Sequence, residues 1–426
     1  MYPMKRLRSV SPSAIETIVA IAVAFLVLAV SFAARAIIGL GMEEWSHDFS
    51  WSRSAISSGG SVALLTMAIT VPLAGLAADR WGARVVLALG CGLLCCGLVV
   101  IGTMTGYWQF IVGYGVLCGA GFGLASFPVV GSLIVKSVRD KQGLATGIAT
   151  SGTTGGQLVI VPVLAFLFPM IGWRAGLIGF AVLSCVMGLI TLGGLRRNPS
   201  RPESAGNTES DTILDRLKPM VVRPAFHGLF WSFALCGFTA TGIVETHLIP
   251  FAQACGFSTT GRTGAYGCFA LFNLIGMITA GFLADRMDRR LLLVVIYLLR
   301  SLAFVIPIFV GANYPLLLAF SALVGIAFYA TFPATIGLSA AHFGTKNLGL
   351  VVGMLTVGHS LGAAAGAWFG GYVYDLFFRY DVVWFGAIAL ALMSAVLASL
   401  VADPRSLDSK RSSEVAGSIG TSLVRC

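Results

Sequence analysis

Gly75-Leu76-Ala77-Ala78-Asp79-Arg80-Trp81-Gly82-Ala83-Arg84 returns 206 residues later as Gly281-Phe282-Leu283-Ala284-Asp285-Arg286-Met287-Asp288-Arg289-Arg290. Each copy closes a long apolar run and opens the next. A glycine lets two helices approach, and an aspartate can meet a helix N-terminus and a neighbouring arginine. Such a turn suits a gate latch, with Gly75, Asp79, Arg80, Gly82 and Arg84 in one copy and Gly281, Asp285 and Arg286 in the other. A spacing of about half the chain says that the protein is built twice over. Both copies follow the second apolar run of their half, which sets them on the same side of a membrane, the arrangement of a parallel repeat.

Working outward from these turns, twelve apolar runs fall near 15–41, 54–78, 84–104, 108–134, 143–168, 174–195, 225–251, 263–284, 290–311, 314–340, 348–374 and 382–402. A bilayer crossing takes about 20 such residues. The 426 residues are 57% hydrophobic and 11% charged, under half the charge of a soluble domain. Disorder, a coiled coil and a soluble enzyme are excluded. The 52 glycines suit close helix approach in lipid. The expected architecture is all-α and polytopic, with twelve transmembrane helices in two six-helix bundles. It divides into an N-terminal segment 1–14, a first bundle 15–195, a linker 196–223 rich in Pro, Ser and Glu, a second bundle 224–402 and a tail 403–426.

The net charge of +10 is explained by topology. With the N-terminus inside, 22 of the 28 Lys and Arg fall in inner segments, four in outer loops and two, Arg35 and Arg300, within helices. This positive-inside bias places both termini in the cytoplasm, removes any need for a nucleic-acid partner, and with short loops and tails points to a bacterial inner membrane. Lys5, Arg6 and Arg8 precede a first run too long for a signal peptide. The nine Cys form no CxxC pair, so no metal site or redox motif is expected, and no cofactor.

The two turns resemble the G-x-x-x-D-R-x-G-x-R signature of the major facilitator superfamily, the second with Asp288 in place of glycine. Within that superfamily, residues from Ile15 to Ala402 resemble bacterial relatives of the monocarboxylate porters and oxalate–formate exchangers. The resemblance rests on Trp51-Ser52-Arg53-Ser54-Ala55-Ile56-Ser57, on Gly143-Leu144-Ala145-Thr146-Gly147 and on Gly172-Trp173-Arg174. Ser31-Phe32-Ala33-Ala34-Arg35 matches a place where animal carriers have a proton- and substrate-binding lysine. It implies alternating access, a small organic anion as substrate, a proton or counter-substrate as driving partner, and a monomer. Two departures stand out. An acid and an arginine expected in helix eight are replaced by Asn273 and Met277, and Ser151-Gly152 replaces the Gly-Pro pair of drug–proton antiporters.

Charges inside the bilayer are expensive and mark function or a buried partner. Arg35, on a cavity-lining helix, is either an anion site or an ion-pair partner of Glu43, Glu44 or Asp48. Arg300, about 15 Å along its helix from Arg290 at 1.5 Å per residue, either faces the cavity or is tied to carbonyls. Glu245 and His247 are candidates to carry a coupling proton; otherwise Glu245 pairs with Arg35 and His247 packs. His359 is a proton or substrate contact or an interhelical hydrogen bond. Tyr114, Gln157, Asn273 and Tyr329 are substrate contacts or glue between helices.

Rival classes are a carrier for a neutral or aromatic compound, favoured by Met277, and a membrane-embedded enzyme. The enzyme lacks support: the five His show no HExxH spacing and there is no G-x-S-x-G after a strand, nor a Walker A motif to make ATP the driving force.

Overall fold

The computed structural model describes residues 14–51, 53–195 and 218–404. Residues 196–217 of the expected linker 196–223, and most of the expected tail and N-terminal segment, lie outside the described residues. Among the described residues twelve helices are long and apolar enough to cross a membrane: α1 (Ala14–Gly41), α2 (Ser58–Trp81), α3 (Ala83–Gly102), α4 (Tyr107–Ser137), α5 (Gln142–Ile171), α6 (Trp173–Gly194), α7 (Pro224–Ala254), α8 (Thr260–Arg286), α9 (Arg289–Val310), α10 (Tyr314–Phe343), α11 (Leu348–Tyr374) and α12 (Asp381–Ser399). Their outer surface carries Leu65, Ile69, Phe166, Phe309 and Phe385 exposed, as side chains facing lipid must be.

The sequence repeat is a structural repeat. In the first half α1 packs on α5, α2 on α4 and α3 on α6; in the second α7 packs on α11, α8 on α10 and α9 on α12. The halves meet where α5 crosses α8 and α2 crosses α11. At both crossings main chain meets main chain. A Cβ added to Gly75 would land on the carbonyl oxygen of Gly349, and one added to Gly281 on that of Gly143.

The two repeated turns solve one problem with different chemistry. Gly82 reverses the chain at φ 90° before α3, a conformation open to glycine at little cost. Its counterpart Asp288 keeps φ at −59° and caps α9 with its side chain, accepting from the N–H groups of Arg290 at 2.8 Å and Leu291 at 3.2 Å. The missing glycine is thus replaced by an N-cap.

Several helices are irregular, among them α1, α4, α7 and α10. α1 breaks at Ala36, directly after Arg35. The stretches Ile111–Cys118 of α4 and Phe238–Glu245 of α7 are π-helical, with i→i+5 bonds that redirect side chains and recur at functional sites. α10 breaks between Ala327 and Thr331. Beyond the end of α1, Trp173 Nε1 donates to Asp48 Oδ2 at 2.9 Å; that bond and the adjacent His47 hold the Asp48 carboxyl below its usual range. Asp48 is therefore bonded to the start of α6 and is not a partner of Arg35.

Replacing Gly281 by Leu is expected to wedge α8 from α5, costing about 1–3 kcal/mol of overpacking. Spin labels on Cys at Trp81 and Lys346, across the companion crossing, should read a longer and broader distance. An unchanged distribution would mean that the crossing has slack these contacts do not show.

Candidate functional site

On the face bearing the repeated turns the halves are latched. Asp285, at the end of α8, accepts from the main-chain N–H groups of Gly143 at 2.6 Å and Leu144 at 2.8 Å, the first turn of α5. Asp79, at the end of α2, accepts from Gly349 at 3.3 Å and Leu350 at 3.2 Å, the first turn of α11. Each carboxylate satisfies orphan donors at the positive end of the other half's helix. The cation beside Asp79 is Lys136, at 2.9 Å. Arg84 donates to the carbonyl of Leu192 on α6. The Arg286 guanidinium lies over the Phe282 ring at 3.9 Å.

Above the latch, Thr153 approaches Met277 Sδ at 4.0 Å and Asn273 Nδ2 donates to Thr154 Oγ1 at 2.8 Å. Asn273 Oδ1 accepts from the Tyr329 N–H at 3.3 Å. Asn273 is thus buried and committed on both sides, joining α5, α8 and α10. Met277 is fully buried. The two helix-eight positions therefore knit the halves together.

An aromatic plug lies at the level of the α10 break. Phe127 and Phe332 stack across the halves with centroids 3.9 Å apart, edged by Phe32 and Tyr329. Sequence reasoning missed this pair, although the signal was present: Ser126-Phe127-Pro128 returns as Thr331-Phe332-Pro333, 205 residues on.

Close to the plug a polar cluster spans the halves: Arg35 from α1, Glu245 and Thr241 from α7, Tyr266 from α8 and Tyr329 from α10, all half-buried and within one another's electrostatic reach. Arg35 lies with its Cζ over Phe32 at 4.0 Å and Phe122 at 5.2 Å, a cation–π seat. It interacts electrostatically with Tyr329, Tyr114 and Glu245. Glu245 interacts in turn with Arg35 and His359. Thr241 and Tyr329 are hydrogen-bonding neighbours of Glu245; Arg35 Nε is buried without a hydrogen-bond partner, and no ion pair joins Arg35 to Glu245. Both charges stand where the backbone is irregular: Arg35 at the α1 break, Glu245 at the end of the α7 π-stretch. Tyr114, within the α4 π-stretch, donates its hydroxyl to the Arg35 carbonyl at 2.9 Å and so positions the residue. Thr241 and Tyr266 were not singled out from sequence, since neither type signals a site inside an apolar run.

Of the remaining candidates, His359 lies within electrostatic reach of Glu245, whereas Arg300 and His247 are committed to other contacts. Arg300 is fully buried; its guanidinium donates to Cys236 Sγ at 2.9 Å, to the Phe328 carbonyl at 2.6 Å and to the Ala327 carbonyl. It is tied to the carbonyls freed by the α10 break. His247 engages the Ala367 carbonyl at 3.0 Å and the Tyr380 hydroxyl at 3.4 Å, packing α7 on α11 and α12. His359 packs against Phe233 with its Nε2 buried and unpartnered. Gln157 is half-buried on α5, one turn beyond Thr153 and Thr154. Among the described residues no cluster of His, Cys, Asp or Glu could hold a metal ion.

The family profile described as Major Facilitator Superfamily matches residues 24–279 and 263–424. An uncharacterized MFS-type transporter, YcxA of Bacillus subtilis (strain 168), is 25% identical over 82% of this chain and 86% of its own length. Monocarboxylate transporter 11 of Mus musculus is 29% identical over 40% of this chain, a match spanning 36% of that protein. Monocarboxylate transporter 12 of Xenopus laevis is 24% identical over 51% of each chain. Among solved structures, the fucose:proton symporter FucP in the outward conformation aligns over 91% of this chain and 99% of its own, with TM-score 0.71 and 14% identity. The proton:xylose symporter XylE aligns over 89% and 94%, with TM-score 0.68 and 16% identity. These last two likenesses are of fold.

Removing Arg300 strands two buried carbonyls at about 1–3 kcal/mol each. Arg300→Met should therefore lower the melting temperature while the folded fraction keeps its substrate affinity. Full stability with lost affinity would return Arg300 to the substrate.

Proposed function

The chain belongs to the major facilitator superfamily and is a secondary transporter of that fold, and from this premise we propose that it carries a small organic anion together with a proton. The carrying observation is that Arg35 and Glu245 stand in each other's field from opposite halves, half-buried, with no ion pair between them. A built cation and a built carboxylate, left open to each other's field but unbonded, suit a ligand that comes between them.

The chemistry follows from charge. An anion on Arg35 and a proton on Glu245 together leave the cluster neutral, so it can be occluded at low cost. With both absent, the arginine and carboxylate neutralise each other, and the empty carrier can return. Anion alone or proton alone leaves a net charge in a low-dielectric space, which opposes closure. Coupling is thus a consequence of electrostatics. Transit requires the halves to rock, opening the Asp79 and Asp285 latches and parting Phe127 from Phe332. Tyr114 acts as a positioning residue through the Arg35 carbonyl. Similarity to two proteins named monocarboxylate transporters supports a carboxylate, with Arg35 taking the part for which helix eight offers only Asn273 and Met277. The bias of Lys and Arg supports a latch face in the cytoplasm of a bacterial cell, with both termini inside.

A second reading, a neutral or aromatic substrate, is favoured by the rings of Phe127, Phe332 and Tyr329 beside the polar cluster.

Purified protein in proteoliposomes, offered labelled lactate, pyruvate, oxalate, aromatic acids and neutral vitamins, separates the two. Gradient-stimulated carboxylate uptake is expected. Arg35→Ala should reduce it at least about tenfold, the worth of one charge-assisted hydrogen bond. Glu245→Gln should preserve anion exchange but abolish the response to a proton gradient. Uptake confined to neutral compounds and indifferent to Arg35 would overturn the anion reading.

A further inference from the structure

One buried polar cluster stands against the plug and is left unused by the transport reading. Phe332 packs on Phe233 with centroids 5.1 Å apart, and both rings lie against His359 of α11. Within hydrogen-bonding reach of His359 is the buried Cys236 of α7, and three helices converge on its sulfur. Arg300 of α9 donates to Cys236 Sγ at 2.9 Å, Tyr297 of α9 is a hydrogen-bonding neighbour, and the Thr331 hydroxyl of α10 stands 3.8 Å away. A guanidinium has donors only and keeps its charge, so the sulfur is the acceptor of that bond. A contact of 2.9 Å has the length of an N–H···O bond. That is short for the larger sulfur atom and in keeping with a charge-assisted bond. Arg300 is fully buried, and its other acceptors are the neutral carbonyls of Ala327 and Phe328. An intramembrane arginine without a counter-charge is costly. Of the groups to which it donates, only the Cys236 thiol can become an anion. The charged or titratable neighbours of the sulfur are Arg300, Tyr297 and His359. Along α7 the nearest others are His227 and Glu245, each nine residues away, and α12, also packed on α7, has Asp381 at its first residue.

We propose that Cys236 is a proton-binding site: as a thiolate it is the counter-ion of Arg300, and taking up a proton loosens the α10 break that carries the plug. In the thiolate state Arg300 bridges α7 to the carbonyls of that break, which leads on one side to Tyr329 and on the other to Phe332. Protonation breaks an N–H bond of the His359 imidazolium and forms an S–H bond with an electron pair of the sulfur, leaving the ring neutral. Glu245, in the electrostatic field of His359, lies on the side from which the ring is recharged. Arg300 then keeps its charge with neutral acceptors alone, which disfavours the packed arrangement. A proton that binds one conformation better than the other shifts the population toward it. The cluster touches no substrate, so it would act on the plug whichever compound is carried, and the inference does not rest on the anion reading.

Infrared spectra of the full chain in proteoliposomes, parent minus Cys236→Ser, isolate the S–H stretch of this one thiol because the other cysteines cancel. No S–H band is expected at neutral pH, and one should grow in as the pH is lowered. Arg300→Gln removes the charge and keeps an amide donor for the carbonyls. Compared with the same variant carrying Cys236→Ser, it should show the band already at neutral pH. A band in the parent at neutral pH overturns the thiolate, and absence of the band in both backgrounds overturns the pairing with Arg300. The link to the plug is read by amide hydrogen exchange over residues 327–332 at one pH. Cys236→Ser, neutral throughout, should speed exchange there about tenfold, the worth of one charge-assisted hydrogen bond. Cys236→Asp, which returns an anion to Arg300, should restore protection. Equal loss in both variants marks a packing defect and sinks the link, as does unchanged exchange in Cys236→Ser. Neither measurement uses a substrate, so failure here is distinct from failure of the anion reading.

Discussion

Two carboxylates, each resting on the first turn of a helix that belongs to the other half, organise this molecule. Asp285 takes the N–H groups at the start of α5 and Asp79 those at the start of α11. A hydrogen bond to a charged group contributes about 1.5–3 kcal/mol, but in the opened state water would replace each partner, so the difference between states is only part of the gross sum. Reversing a two-state population from one extreme to the other takes about 5.5 kcal/mol. A latch of this strength holds the halves together yet stays within reach of a shift driven by a bound ligand. The reciprocity matters as well. Because each half supplies one carboxylate and one helix end, neither latch can be lost without unbalancing the other's geometry.

The polar cluster sits where that closure leaves it. Arg35 and Glu245 are placed by faults in otherwise regular helices, a break and a π-stretch, and faults of this kind turn a side chain toward a site that a continuous 3.6-residue period would miss. The opposite arrangement governs Arg300. There a helix fault supplies free carbonyls and the arginine is consumed in satisfying them. Two intramembrane arginines thus meet two helix breaks with different results: the arginine at one lies over aromatic rings, the arginine at the other is absorbed by carbonyls.

Much of this was legible in the sequence. Hydropathy set the twelve helices, and the Gly75–Arg84 and Gly281–Arg290 repeat set their grouping and the latch carboxylates. Less was legible at the site. Residue type identified Arg35 and Glu245 as out of place in lipid, but could not say that Arg300 is bonded to carbonyls, since the α10 break is a matter of backbone geometry. Register left Asn273 open between a substrate contact and glue between helices; its hydrogen bonds bridge α5, α8 and α10. The Phe127–Phe332 plug went unread because an aromatic residue in an apolar run carries no local signal; only its return after half the chain marks it. Lys136 stands beside Asp79 unannounced by the motif, because partners across helices are set by three-dimensional facing, to which a linear motif is blind.

The glycine contacts at the crossings carry a consequence for how such a protein changes over generations. Where Gly75 meets Gly349 and Gly281 meets Gly143, the moving surfaces are peptide backbone, which every residue shares. Mutation can alter that bearing only by adding a side chain, and nearly any addition obstructs it. The polar cluster, by contrast, is made of side chains that can be exchanged one at a time without touching the crossings. Selection can therefore retune what is carried while leaving the machinery of carriage intact, and a lineage can acquire new cargoes without rebuilding its hinge.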